Sequence, residues 1–355
     1  MSVELGFAET PEGPLTADKF PSKVGGIPAW LNPEFILPVE KVRCGVCEKP
    51  MILLLQLYTP EDEPPEAFHR MVYIFICSIG ACHKTSWQKR SQLPKDNPYW
   101  NPSKVDDSNQ PITTHHAAHQ CVVCGLHGSK TCGKCKAINY CSREHQTSHW
   151  TIGQHKLHCG ATDLSAEAVA KGIKLCRNAV LFPEYEIVSE SETLPDSKEQ
   201  DTLTEGSSLN NSQALVPVGD EVYENSNVDV DEAFLKFQKR ISFQPDQVVR
   251  YARLEYNENT DPLWISDYGK PTADDLPPCE HCGQQRTFEF QILSTLLNHL
   301  NIDNTRTDSL DWGSLLVYTC KANCHVLKKV FVSEIIWRQD FSEEGLNFGH
   351  GKLEA

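Results

Sequence analysis

The chain has 355 residues, a formal charge of −15 and 39% hydrophobic residues, enough for more than one core, since single domains usually run to roughly 100–200 residues. So acidic a composition argues against a broad phosphate-binding face, which needs clustered Lys and Arg, and favours a basic partner. The first residues, MSVELGFAETPEGPL, hold no apolar run of the signal-peptide kind, and the longest apolar runs, Met51 to Leu55 and Val72 to Cys77, fall far short of a membrane helix. A soluble intracellular protein is expected, in which the 15 cysteines would be reduced and available to metals.

From about Phe7 to Tyr99 the chain carries SKVGGIPAWL, a Cys44/Cys47 pair, an apolar run and RMVYIFICSIGACHK. VYIFIC is short and apolar on both alternating faces, which predicts a strand buried on two sides. The prolines and small polar residues of NPYWNPSKVDDSNQP predict a loop. After a Cys/His block at Cys121 to Cys159, residues 184–230 read as a disordered acidic linker. From Glu184 to Glu232 there are 14 acidic residues against one Lys, and too few large apolar ones to offset the ordering entropy. It would act as a solvated spacer or as a decoy for a basic partner. DEAFLKFQKRI then predicts a helix, with Phe234, Phe237 and Ile241 at helical spacing, acids at its front and bases at its back. TFEFQIL, SLLVYTCKANCH and VFVSEIIW predict strands.

The two ends of the chain share one order of features. PAWL at Pro28 to Leu31 matches PLWI at Pro262 to Ile265, Cys44/Cys47 matches Cys279/Cys282, and a strand containing Gln56 or Gln291 follows. Each series ends on a second Cys pair, Cys77/Cys82 or Cys320/Cys324. A CxxC turn aims backbone N–H groups at its thiolates, and a second pair about thirty residues on can complete a tetrahedral zinc site, as in zinc ribbons. Two sites follow, Cys44, Cys47, Cys77, Cys82 and Cys279, Cys282, Cys320, Cys324, with His83 and His325 as alternative ligands and small buried hydrophobes as the plainer account of the thiols. The expected fold is mainly β with some α: a duplicated zinc-ribbon-like β module forming a pseudo-twofold body, residues 1–105 and 231–355, with a finger at 118–160 and the linker inserted. A groove at the seam would be a binding site. Trp30 and Trp264 are candidate partner anchors beside it, against the alternative that both are core.

The central block runs CxxC, CxxC, CxxxH, HxxxC, eight ligands for two zinc ions in a segment too small to fold on an apolar core, so that metal binding supplies most of its folding free energy. It resembles the MYND finger, in which ligand pairs interleave. The resemblance implies one site of Cys121, Cys124, Cys141 and His145 and another of Cys132, Cys135, His155 and Cys159, with His145 where that family most often has Cys. His149 and His158 are expected at the surface, and HHAAH at His115 to His119 as a leader into the finger. Lys130, Lys134, Lys136 and Arg143 make the finger locally basic without implying DNA binding. Four protein ligands leave a zinc ion no position for activating water.

No GxSxG, HExxH, P-loop or well-placed GxGxxG occurs, and the GGIP turn at Gly25 to Pro28 is too short to cradle a phosphate. A SET-type methyltransferase, a class that carries embedded MYND fingers, finds only an echo in NHL at Asn298 to Leu300. The chain reads as a non-enzyme.

SKVGGIPAWL, CGVC…MVYIFIC, FLKFQKRI, PLWIS, FEFQIL and DWGSLLVYTC, with a MYND-type finger between two similar halves, closely resemble the programmed cell death protein 2 family over nearly the whole chain outside the linker. The resemblance implies a dedicated chaperone or adaptor, cytoplasmic and also nuclear, that captures one basic small-subunit ribosomal protein and supports 40S assembly. A nuclear adaptor whose finger recruits proline-containing co-repressor peptides, in transcription, proliferation or cell-death control, is the second reading. Zinc is the expected cofactor, with two ions in the finger and one in each half; neither direct nucleic-acid binding nor a membrane is expected.

Overall fold

The computed structural model describes residues 3–82, 86–100, 119–161, 165–193, 231–253, 261–303, 305–306, 309–326 and 330–341. His83, most of HHAAH and the expected linker from 194 to 230 lie outside them.

The apolar runs form strands, as their β-branched and aromatic content requires. In chain order these are β1 (Glu4–Glu9), β2 (Lys23–Val24), β3 (Ile52–Tyr58), β4 (His69–Ile76) and β5 (Ser86–Leu93), then β6 (Lys130–Thr131) and β7 (Asn139–Tyr140) in the finger. After the finger come β8 (Tyr185–Ser191), β9 (Gln247–Tyr251), β10 (Arg286–Leu293), β11 (Ser314–Cys320), β12 (Val332–Ser333) and β13 (Ile335–Gln339). The helices are α1 (Arg143–Thr151), α2 (His155–His158), α3 (Ala166–Val180) and α4 (Glu232–Ser242). All eight residues of β4 are buried, Val72 to Ile76 as their apolar run predicts and the polar His69 and Arg70 besides. Helix α4 falls where the FLKFQKRI periodicity places it, capped by Asp231, whose carboxylate accepts from the Phe234 N–H at 3.0 Å.

All strands but the β6/β7 hairpin join one sheet of eleven, in the order β12-β5-β4-β3-β2-β8-β1-β9-β10-β11-β13. Read outward from the β8/β1 pair, one side carries β2, β3, β4 and β5, the other β9, β10, β11 and β13. Only Glu334 separates β12, bonded to β5 at one end of the sheet, from β13, bonded to β11 at the other. One bend of the chain thus brings the two ends together, making a mixed α/β fold around a near-barrel sheet.

The matching hairpins agree in detail. β3/β4 has a bulge between Leu53 and Leu55, two residues before Gln56, and β10/β11 has one between Phe288 and Phe290, two residues before Gln291. Both glutamines are buried and turned onto the preceding loop. Gln56 Oε1 accepts from the Ala29 N–H at 2.9 Å, and Gln291 Oε1 from the Leu263 N–H at 2.8 Å.

Residues 184–193 correct the expected linker. β8 lies at the centre of the sheet, hydrogen-bonded to β1 on one side and β2 on the other. Four of its seven side chains are exposed and only Ile187 is buried, so backbone pairing rather than apolar burial holds it. Gly6 of β1 permits the close approach, since a Cβ there would meet Ile187 at 2.9 Å. The GGIP turn has the same kind of cause. Gly25 and Gly26 take positive φ values of 62° and 63°, and a Cβ on Gly25 would lie 2.0 Å from the Pro183 carbonyl.

Buried charges span the two sides of the sheet. Arg70 of β4 forms a two-pronged ion pair with Glu289 of β10, its Nη2 at 2.6 Å from Oε2, and both side chains are fully buried. Arg253 and Thr319 also bond to Glu289. At the closing bend, Glu334 accepts from Arg90 at 2.7 Å and from Arg286 at 3.2 Å. Removing one partner of such a pair strands the other in a low dielectric.

Glu289→Gln should therefore lower unfolding free energy in urea by about 3–5 kcal/mol, and adding Arg70→Met should recover part of it. Burial raises the Glu289 carboxyl pKa, but Arg70 and Arg253 outweigh burial and hold it well below the usual carboxylate range. Its stabilisation is thus complete above the unfolded value of about 4.3 and is lost as pH falls through the depressed folded value. Acid unfolding of Glu289→Gln should accordingly depend less on pH below about 4 than that of the parent.

Candidate metal centres and the docked finger

Four CxxC turns fold alike. In each, the first cysteine's carbonyl accepts from the N–H four residues on: Glu48 to Cys44 at 2.9 Å, Gly125 to Cys121 at 2.9 Å, Lys136 to Cys132 at 2.9 Å and Gly283 to Cys279 at 2.9 Å. The donor takes positive φ every time, 58° at Glu48, 72° at Gly125, 54° at Lys136 and 72° at Gly283. The turn points both thiols the same way, and Val46 N–H donates to the Cys44 sulfur at 3.4 Å.

Each turn meets its partners. Cys44, Cys47, Cys77 and Cys82 gather in one cluster, Cys279, Cys282, Cys320 and Cys324 in another, and the finger forms Cys121, Cys124, Cys141, His145 and Cys132, Cys135, His155, Cys159. All ligand atoms of a cluster lie within 4.8 Å of one another. Zinc–sulfur bonds of about 2.3 Å set sulfurs about 3.8 Å apart in a tetrahedron, and the sulfur pairs Cys47–Cys77, Cys132–Cys159, Cys279–Cys324 and Cys282–Cys320 measure 3.7, 3.6, 3.6 and 3.5 Å. The donors fit a four-coordinate zinc ion. His145 turns Nδ1 to Cys141 at 3.2 Å, whereas His155 turns Nε2 to Cys135 at 3.6 Å. His325 is exposed and outside the four-sulfur cluster beside it. Burial pushes the Cys77 and Cys324 thiols up from their ordinary value, and a bound cation reverses this by taking the thiolate. Four protein ligands fill each centre, so the centres are structural rather than catalytic.

The finger is built into the body. Cys121, Val123, Leu126 and Tyr140 share one apolar core with Val24, Trp30, Leu37 and the β3 and β4 side chains. Trp30 Nε1 donates to the Gly125 carbonyl at 2.8 Å, His127 N–H to Leu37 O at 3.0 Å and Arg177 Nε to Val122 O at 3.0 Å. Arg177 belongs to α3, a helix the sequence reading passed over. It packs on the finger where Gly172 approaches Gly153 so closely that a Cβ on Gly172 would lie 2.4 Å from the Gly153 carbonyl.

Two expectations change here. Trp30 is 3% exposed and lies tilted against Tyr73 with ring centroids 5.0 Å apart, so it anchors the finger from within and offers nothing to a partner. Trp264 is half-buried on a separate small cluster with Phe288 and Tyr318, with Lys270 Nζ 5.5 Å from its ring. His149 is buried rather than at the surface. Its Nδ1 lies 2.8 Å from the Tyr140 hydroxyl, and its ring stacks on the ligand His155 at 4.9 Å. Burial first, then the neighbouring His155, hold its pKa down to about 4.

Elemental analysis of the purified chain should give about four zinc ions, one per cluster. Cys121→Ser and Cys132→Ser should each lose about one ion. Cys121→Ser should lower the thermal midpoint of the body, read by tryptophan fluorescence, more than Cys132→Ser does, because all four of its ligands are buried whereas Cys135 of the other cluster is partly exposed. Equal midpoints in the two variants would contradict the docking.

Comparison with known proteins follows the same division. Residues 2–107 match the model of the programmed cell death protein 2 N-terminal domain, residues 121–159 the MYND finger, and residues 231–340 the programmed cell death protein 2 C-terminal putative domain. Programmed cell death protein 2 of Mus musculus is 36% identical over 352 residues, 96% of this chain and 97% of the relative. Programmed cell death protein 2-like of Homo sapiens is 28% identical, covering 85% of each. Probable 20S rRNA accumulation protein 4 of Schizosaccharomyces pombe is 22% identical, covering 90% of this chain and 92% of the relative. No solved structure matches the chain. With this identity along almost its full length and its MYND finger seated between the two matched domains, the chain belongs to the programmed cell death protein 2 family.

Proposed function

We propose that the protein is a zinc-stabilised, non-enzymatic chaperone or adaptor that captures a basic small-subunit ribosomal protein and supports 40S assembly. The observation that carries this reading is the near full-length relationship to a fission-yeast protein named for 20S rRNA accumulation. Physical chemistry agrees with it. A chain of charge −15 attracts a basic client and keeps RNA away from it, and metal centres with four protein ligands suit a scaffold for binding.

Within this reading the body is a duplicated zinc-ribbon-like module with a pseudo-twofold arrangement. The shared CxxC turns, the bulge two residues before a buried glutamine, and the mirrored strand order support common descent of the two halves. The capture would take place in the cytoplasm, with a nuclear pool available to subunit assembly. The finger adds a second contact: Trp150, Ile152 and Leu157 are exposed on it, an apolar face suited to a proline-containing peptide.

Affinity purification of the tagged chain from its own cells, with quantitative mass spectrometry, tests the reading. A basic small-subunit ribosomal protein should be recovered in near-equal amount, and recovery should fall as salt rises. A co-repressor complex in its place would favour a nuclear adaptor and overturn the chaperone.

A further inference from the structure

One cleft of this acidic molecule gathers four cationic side chains. Helix α4 lies beside β9 and β10, and between them opens a cavity of about 420 Å³ walled by Lys236, Lys239, Arg240 and Arg250, with Asp261 the one carboxylate among its lining residues. Its floor is apolar, from Leu263, Phe243 and Phe288. With Glu192 behind the two arginines and Glu232 beside Lys236 counted alongside Asp261, four cations still outnumber three carboxylates on a chain of charge −15.

The chain itself shows which chemistry these cations take. Glu192, just beyond β8, extends its carboxylate to Arg240 with both oxygens, at 2.8 and 2.7 Å, and to Arg250 at 2.9 Å. Burial raises the Glu192 pKa, but the two guanidinium groups hold it below the usual carboxylate range. One carboxylate thus sits between two arginines at the inner wall. The two lysines at the outer wall are exposed, and among the described residues they meet one carboxylate, Glu232, at 3.7 Å from Lys236 on the solvent side.

We propose that this cleft is a docking site for an acidic segment of a partner protein, whose carboxylates meet Lys236 and Lys239 while an apolar side chain enters the floor at Leu263 and Phe288. Charge complementarity selects the occupant. The basic client of the preceding section would be repelled here, so the site serves a different partner and stands or falls apart from that reading. The apolar floor distinguishes a peptide from a nucleic acid, whose phosphates would leave Phe288 and Leu263 uncovered.

The test is fluorescence polarisation of a fluorescein-labelled peptide of alternating Glu and Leu against the full-length, zinc-loaded chain. Binding should weaken steeply with salt, and Lys236→Glu with Lys239→Glu should reduce affinity by about tenfold or more. The double alanine variant should shift it the same way by less. Both lysines are exposed, so zinc content and the circular dichroism spectrum should not change. Unchanged affinity in the charge-reversed variant would overturn the proposal. So would tighter binding of a single-stranded RNA oligonucleotide that competes with the peptide, or peptide binding seen only after residues 194–230 are deleted, which would make the chain's own acidic stretch the occupant.

Discussion

Four groups of sulfur and nitrogen donors, each crowded within 4.8 Å, cannot hold their metal-binding charges without a cation among them. That electrostatic requirement governs the architecture. Cys44 and Cys47 precede β3 and Cys77 and Cys82 follow β4, so their cluster clips the open end of the hairpin beside the Ile52–Ile76 pair. Cys279, Cys282, Cys320 and Cys324 clip β10/β11 beside the Arg286–Cys320 pair. A one-residue slip in either hairpin would turn every side chain to the other face and pull the sulfurs out of reach. Metal, bulge and buried glutamine therefore specify one register three times over.

Between the clipped hairpins the sheet is joined by charge. Arg70 and Glu289 lie fully buried on strands from opposite sides of the sheet, and Glu334 ties Arg90 and Arg286 at the bend that closes it. Apolar residues of equal volume would fill the space at less desolvation cost, but they would not select one arrangement of the strands. An ion pair needs its partner at hydrogen-bond distance. The bend also removes an aggregation hazard, since β12 and β13 cover the two strands that would otherwise be open edges.

The sequence makes the metal centres legible because thiol chemistry imposes spacing: a CxxC turn has one local geometry, and each cluster gathers around such a turn, while the interleaving of the finger's two sets is what its resemblance to the MYND finger implies. The long apolar strands and α4 are legible by periodicity. β8 is hidden because most of its side chains face solvent within an acidic stretch and its reason for being in the sheet is backbone pairing, which leaves little trace in composition. α3 and Gly172 are hidden because they answer to a neighbour, the finger. Trp30 misleads for a related reason. A tryptophan repeated between halves suggests a shared surface role, yet its indole N–H is committed to Gly125 of an inserted segment that has no counterpart in the second half. His149 looked like a surface residue because nothing local reveals the Tyr140 hydroxyl that receives it.

The position of the finger changes what such a module does in this chain. An appended finger can be lost without consequence to its carrier, but here the first metal-binding cluster lies behind Trp30, which packs against Tyr73, whose hydroxyl accepts from the Leu31 N–H at 2.7 Å. Loop, strand and finger thus share one polar and aromatic chain that depends on a metal ion in place. The second cluster lies farther out, with Cys135 partly exposed and Trp150 and Leu157 facing solvent. One candidate metal cluster is entirely buried in the core of the body, and the other, with Cys132 and Cys159 in that core, reaches the surface through Cys135. A single finger can then do both because its interleaved ligand pairs lie in one segment, which fixes the outer surface relative to the whole sheet.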